Sequence, residues 1–132
     1  MKAKMVWGNF SVKDAKRTHE FYSQLGFRPN NTNNYPKLAS FLFGDNNLVI
    51  HFFERGSQID EYLPVASEGS SEIMFTLSAE TEEQVKEWAE KVKEAGGKII
   101  SEPARDQQGY YGFVFADPDG HRFNVLLIEA GM

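Results

Sequence analysis

The sequence predicts an α+β fold made of two βαβββ modules, and three observations support that prediction. Strand-like and helix-like patterns follow one another in the order strand, helix, three strands, and that order occurs twice. Each helix pattern ends at a glycine, Gly26 or Gly96, and a strand-like run follows soon after. The chain closes on a hairpin in which two apolar runs flank the turn at residues 117–120.

The first module covers about residues 1–66. Its opening strand, 5–12, shows alternation, and Asp14 is a candidate N-cap for the amphipathic helix that follows. The residues of this helix that are spaced to face a core are Thr18, Phe21 and Leu25. Three more strands, separated by an Asn-rich loop and a Gly-Asp-Asn turn, are predicted over 27–29, 38–43 and 48–53. Residues 57–63 then form a short helical turn.

The second module covers about residues 67–132 and begins with an alternating strand at 72–78. Its helix has glutamates in the first turn and lysines near the end, as the helix dipole favours. The apolar stripe of this helix consists of Val85, Trp88, Ala89 and Val92. A strand is predicted over 98–101 and a loop over 102–109. The hairpin strands follow at 113–116 and 123–128.

Composition narrows the possible functions. The chain of 132 residues has no cysteine, which excludes disulfides and thiolate chemistry. Its net charge of −5 and the lack of a basic stripe argue against nucleic acid as a partner. No run of apolar residues has the length of a membrane span, and the N-terminus lacks the pattern of a secretory signal, so we expect a cytoplasmic protein with no membrane partner.

Polar side chains fall on the strand faces opposite those predicted to pack on the helices. His51, Glu72 and Asn124 all have this parity. Burying a glutamate without a partner is costly, so we expect Glu72 to meet His51, Asn124, water or a ligand. The residues expected to converge on one cavity are Trp7, Asn9, His51, Phe53, Glu72, Met74 and Asn124.

The segments VKDAKRTHEFYSQLGF, EEQVKEWAEKVKEAGGKI and FADPDGHRFNVL resemble the vicinal oxygen chelate superfamily. That superfamily includes glyoxalase I, extradiol dioxygenases, fosfomycin-resistance enzymes and bleomycin-resistance proteins. The resemblance covers essentially the whole chain, and the opening residues are similar to the predicted lactoylglutathione lyase-like group. It implies a single glyoxalase-like domain, 1–132, whose two modules form an open, cup-shaped sheet with the site inside.

The resemblance also implies a divalent metal held by side chains from four strands. The four matching positions are Trp7, His51, Glu72 and Asn124, of which only His51 and Glu72 are plausible ligands. One hypothesis is therefore a metal-dependent lyase or dioxygenase that uses these two residues. Another is an internal His51–Glu72 ion pair that lines a wet cup without any metal. We expect no tightly bound metal and assign Glu72 as the candidate catalytic residue.

The preferred functional hypothesis is a protein that binds a small molecule in the cup. The indole of Trp7 offers a flat surface for an aromatic or cationic ligand, and Glu72 together with the net negative charge favours a cation. Arg105 could hold an anionic substrate, or it could be a solvated loop arginine. The uncovered sheet edges predict a homodimer. A dimer that binds no ligand is a third hypothesis, which the polar residues expected inside the cup disfavour.

Overall fold

The chain divides into two compact units, Met1–Ala66 and Ser67–Met132, in a computed structural model that describes residues 1–30, 36–63 and 73–129. The first unit consists of β1 (Trp7–Val12), α1 (Ala15–Gln24), β2 (Arg28–Pro29), β3 (Leu38–Phe43), β4 (Leu48–Glu54) and a 3-10 helix (Gln58–Glu61). The second consists of β5 (Met74–Ala79), α2 (Glu82–Ala95), β6 (Lys98–Arg105), β7 (Tyr111–Ala116) and β8 (Arg122–Leu127). The α+β fold of two βαβββ modules is confirmed.

In the first unit, the strands form a four-stranded sheet in the order β1-β4-β3-β2, with β1 parallel to β4. One face of this sheet packs on α1 through aromatic rings. The Tyr22 ring stacks on Phe52 at 4.7 Å between centroids and tilts against Phe41 at 5.6 Å. All three side chains are fully buried, so this face is the core of the unit.

Both ends of α1 follow the sequence prediction. Asp14 Oδ1 accepts hydrogen bonds from the amides of Lys16 and Arg17 at 3.0 and 3.2 Å. The carboxylate of Glu54, on β4, accepts a further one from the Ala15 amide at 3.1 Å. Gly26 follows the C-cap with φ of +94°, a conformation that glycine adopts without steric cost. The cap thus ties the helix to the sheet.

In the second unit, the sheet order is β5-β8-β7-β6, with β5 parallel to β8. The helix α2 is capped by Thr81, whose hydroxyl accepts from the Gln84 amide at 3.1 Å, and Gly96 again has φ of +94°. The core of this unit includes Val85 and Val92 of α2 together with Phe115 of β7 and Phe123 of β8, all fully buried. No helix in the described ranges is long and apolar enough to cross a membrane.

The strand β6 differs from the sequence prediction, which placed a loop over 102–109. It continues through Pro103 to Arg105, with register shifts between Ile99 and Ser101 and between Ser101 and Ala104. Because β6 is the edge strand of its sheet, it tolerates both bulges and a proline that donates no hydrogen bond.

Candidate functional site

Strand alternation brings four of the predicted site residues to one face of the first sheet. This first open face lies opposite α1 and includes Trp7, Asn9, Ser40, His51 and Phe53. Asn9 on β1 is opposite His51 on β4, which is opposite Ser40 on β3. Their neighbours in sequence point to the helix, so the parity predicted for these strands is correct. Trp7 is 51% exposed.

A short chain of hydrogen bonds orients His51. Its Nδ1 lies 2.8 Å from the hydroxyl of Ser40, and Asn30 Nδ2 donates to the same hydroxyl oxygen at 3.2 Å. Ser40 Oγ accepts from Asn30 and has one proton to donate; when that proton goes to His51 Nδ1, the ring proton lies on Nε2. Burial lowers the pKa of His51, which favours the neutral ring. Neutral His51 then presents an N–H donor to a ligand.

A cavity of about 370 Å³ adjoins this face within the first unit. The ring of Phe53, 5.6 Å from the His51 ring, forms part of its wall. The segment around the 3-10 helix supplies much of the remaining wall. The lining residues are Asn9, Lys37, Phe53, Ser57, Gln58, Ile59 and Tyr62. The cavity thus combines apolar rings with amides, hydroxyls and one ammonium group.

Met74 and Asn124 share the corresponding face of the second sheet, on the side away from α2. This second open face includes Met74, Thr76, Val114, Arg122 and Asn124. Asn124 on β8 pairs with Thr76 on β5 at one side and with Val114 on β7 at the other. Asn124 Oδ1 is buried and has no hydrogen-bond partner among the described residues. It is therefore an acceptor that a donor group could still satisfy.

Arg105 lies in a network of ion pairs within the second unit. Its Nη1 donates to Glu129 at 2.8 Å and to the Gly109 carbonyl at 2.6 Å, and its Nη2 donates to Glu82 at 3.3 Å. The hydrogen bond that Arg105 donates to Glu129 raises the pKa of Arg105. The guanidinium also lies 5.8 Å from the Tyr111 ring centroid. These contacts give Arg105 a structural role; anion binding there stays a prediction.

The described residues at the four family positions do not form a complete metal site. The indole of Trp7 has only an N–H donor, and the Nδ1 of His51 is occupied by Ser40. Asn124 offers an amide oxygen, a weak ligand beside a carboxylate. Glu72, the candidate catalytic residue, lies outside the described residues. Within the described ranges, no three His, Asp or Glu side chains are grouped to hold an ion.

Sequence reasoning missed several residues that the structure brings to the first open face and its cavity. Ser40 is polar within an otherwise apolar strand, LASFLF, and that interruption was an available signal. Asn30 reaches Ser40 from the end of β2 only because β2 pairs with β3. Lys37 and the residues around the 3-10 helix carried no pattern of their own, because their proximity is created by the packing of the turn.

Comparisons with known proteins agree with this fold. The model of the Glyoxalase/Bleomycin resistance protein/Dioxygenase superfamily matches residues 4–125. A hypothetical protein from S. aureus is 32% identical, with a TM-score of 0.86, over 97% of this chain and 96% of its own.

More distant solved structures share the fold. A glyoxalase-related enzyme from Fulvimarina pelagi is 21% identical, with a TM-score of 0.79, over 96% of this chain and 89% of its own. The fosfomycin resistance protein FosX from Mesorhizobium loti is 16% identical, with a TM-score of 0.69, over 98% of this chain and 96% of its own. No curated protein matches the sequence. The chain belongs to the glyoxalase/bleomycin resistance protein/dioxygenase superfamily.

Proposed function

We propose that this chain binds a small organic molecule on the first open face, and that it does so without a complete catalytic metal site. The observation that carries the proposal is the cavity of about 370 Å³ beside Asn9 and Phe53. Ligand pockets in proteins have volumes of roughly 300–1,000 Å³ and combine apolar walls with a few polar groups. This cavity has that size and composition.

The polar groups around the cavity support a binding function over a purely structural one. A sheet face that served only to pack would carry aliphatic residues in the row that holds Asn9, His51 and Ser40. The Nε2 of His51 has no described partner, and a ligand acceptor would complete its hydrogen bonding.

A metal-dependent lyase or dioxygenase that uses His51 and Glu72 is the second candidate. The lowered pKa of His51 favours it, because a neutral imidazole is the form that binds a metal. The tautomer of His51 weighs against it when Ser40 donates to Nδ1, since the remaining nitrogen then carries a proton.

We expect the protein to act as a homodimer. The edge strands β1 and β5, with the residues just before them, expose large apolar side chains. These are Val6 at 75%, Trp7 at 51%, Ile73 at 53% and Met74 at 47% exposure. A second copy of the chain could cover both edges. Light scattering at micromolar concentration should give twice the chain mass of 15.0 kDa; a monomer would contradict this.

The binding proposal is tested by a thermal-shift screen of small organic molecules against the metal-free protein. Compounds that raise the Tm of the wild type should lose most of that effect in Phe53→Ala, which removes a cavity wall. The same compounds should still raise the Tm of Tyr110→Ala. This control variant also removes an aromatic ring, but from a residue of the second unit that is 40% exposed. A screen in which no compound distinguishes these two variants would contradict the proposal.

Elemental analysis tests the metal part separately. We expect no divalent ion to survive dialysis, because such ions in catalytic sites usually have about three protein ligands. One equivalent of metal per chain, together with an activity that a chelator abolishes, would instead establish the lyase or dioxygenase candidate.

A further inference from the structure

We infer that the cavity of the first unit selects a small organic anion, with its acidic group at Lys37 and its apolar body against Phe53 and Ile59. This inference rests on the proposed binding function and names the ligand class. It differs from the preference for cations that the net charge of −5 suggests. Salt screens distant charges, so the charge that a ligand meets inside the cavity is set by the residues that line it and not by the net charge of the chain.

The charge of the cavity wall is the first argument. Seven of the described residues line the cavity; among them Lys37 is the one charged residue and none is acidic. No described side chain forms an ion pair with its ammonium group. A carboxylate or similar oxyanion in the cavity would be attracted to this group.

The engagement of nearby carboxylates is the second argument. Asp60, within the 3-10 helix, accepts from Arg55 Nη1 at 3.3 Å and from the Gly56 amide at 2.8 Å. Glu54 Oε1 accepts from the Ala15 amide at the start of α1. Asp60 and Glu54 are thus held by partners of their own. Neither they nor the exposed Glu61 of the 3-10 helix are among the described lining residues, so Lys37 is the charged group of the described wall.

The remaining wall fits the uncharged part of such a ligand. Phe53 and the buried Ile59 offer apolar surface, and Phe53 is suited to stacking against a planar group. Asn9 and Gln58 carry amide groups that can donate to a second oxygen of the ligand. At about 370 Å³ the cavity suits a compact acid with a single ring.

Three probes of one shape and different charge test the inference: benzoate, benzamide and benzamidine. Each is titrated into isotope-labelled full-length protein at low salt, and the amide NMR signals of residues 53–62 are followed. Benzoate should bind roughly two- to fivefold more tightly than neutral benzamide, the range expected for one exposed ion pair. Benzamidine should bind more weakly than both, and added salt should reduce the preference.

Two charge-removing variants provide the matched comparison. Lys37→Gln should remove the preference for benzoate over benzamide and leave benzamide binding unchanged. Lys86→Gln removes an equal charge from an exposed position on α2 in the other unit and should keep the preference.

The outcomes separate this inference from the proposed function. If the three probes bind equally in the cavity, or benzamidine binds best, the anion assignment is wrong and small-molecule binding stands. If benzoate is preferred and Lys37→Gln keeps that preference, Lys37 is not the anchor. If no probe shifts the signals of residues 53–62, both the inference and binding at this cavity are wrong.

Discussion

The two units repeat one architecture: their sheets are alike on the faces that pack against helices and differ on the open faces. On the faces that pack against helices both units bury only apolar side chains of the central strands, such as Phe52 and Val125. On the open faces the equivalent residues differ in chemistry. By register, His51 between Asn9 and Ser40 corresponds to Asn124 between Thr76 and Val114.

This difference shows which constraint acts on each face. A helix-facing residue must fill a close-packed core, so its size and polarity are restricted in both units. A residue on an open face has no helix packed over it, so polar side chains such as Ser40 and His51 occur there. The first unit has a row of Asn9, His51 and Ser40 beside a cavity, whereas the matching row of the second unit holds Thr76, Asn124 and Val114.

Removing a large core side chain should have the largest effect. Phe52→Ala should lower the free energy of unfolding by about 3–5 kcal/mol, because the fully buried ring leaves a void under Tyr22. Phe53→Ala, one residue further on the open face, should cost roughly 1–2 kcal/mol. Urea denaturation of both variants measures the difference. Equal costs would mean that the two faces are not distinct.

The hairpin turn of the second unit depends on a buried acid that has no equivalent in the first. Asp117, 3% exposed, accepts from the amides of Asp119 and His121 and contacts His121 Nδ1, each at 2.8–2.9 Å. Asp117→Ala should cost about 3 kcal/mol, since buried donors lose their acceptor. Asp117→Asn keeps an acceptor and should cost less in the same denaturation experiment. The reverse ranking would contradict this role.

Gly112 on β7 and Leu38 on β3 occupy equivalent positions by register. The pair of β3 and β4 has room for a side chain there, whereas the pair of β7 and β8 does not. A Cβ at Gly112 would collide with the carbonyl oxygen of Val125. Gly112→Ala should therefore cost about 2 kcal/mol through displacement of β7 from β8. Leu38→Ala serves as the comparison, because it also places an alanine at this position but in a strand pair that already accommodates a Cβ. A Gly112 variant as stable as wild type would show that the strands adjust freely.

Replacing Ser40 by its equivalent in the second unit tests the orientation of His51. Ser40→Val should cost about 1 kcal/mol because Nδ1 loses a partner. Nitrogen NMR of the His51 ring should show Nε2 protonated in the neutral wild type and a mixture of tautomers in the variant. A wild-type ring with its proton on Nδ1 would reverse the inferred direction of the hydrogen-bond chain.

The smallest effect concerns pH. Burial lowers the pKa of His51 below the ordinary 6.5, so the unfolded imidazole takes up a proton first as the pH falls. Its contribution to stability is complete above about pH 6.5 and is lost as the pH falls toward the folded pKa. His51→Asn, which introduces the residue type of the equivalent Asn124, should remove this pH dependence from the urea midpoint of unfolding. His19→Asn, exposed on α1, should leave it in place.

The modules, the ends of the first helix and the strand parity were predictable from local sequence patterns. These features depend on local chemistry: Asp14 as the N-cap of the first helix, a glycine at the end of each helix, and the period of apolar residues. Parity alone assigned Trp7, Asn9, His51 and Phe53 to one face. The motifs also resembled the superfamily to which the chain belongs.

Which groups from distant segments meet on the first open face depends on how the strands pair and how the turns pack. The pairing of β2 with β3 brings Asn30 to Ser40, and the 3-10 turn after β4 creates the cavity beside Lys37. The loop predicted within β6 was wrong for the same reason, since pairing with β7 overrides the local signal of Pro103. Local patterns encode how a segment folds, whereas a site depends on contacts between segments far apart in the sequence.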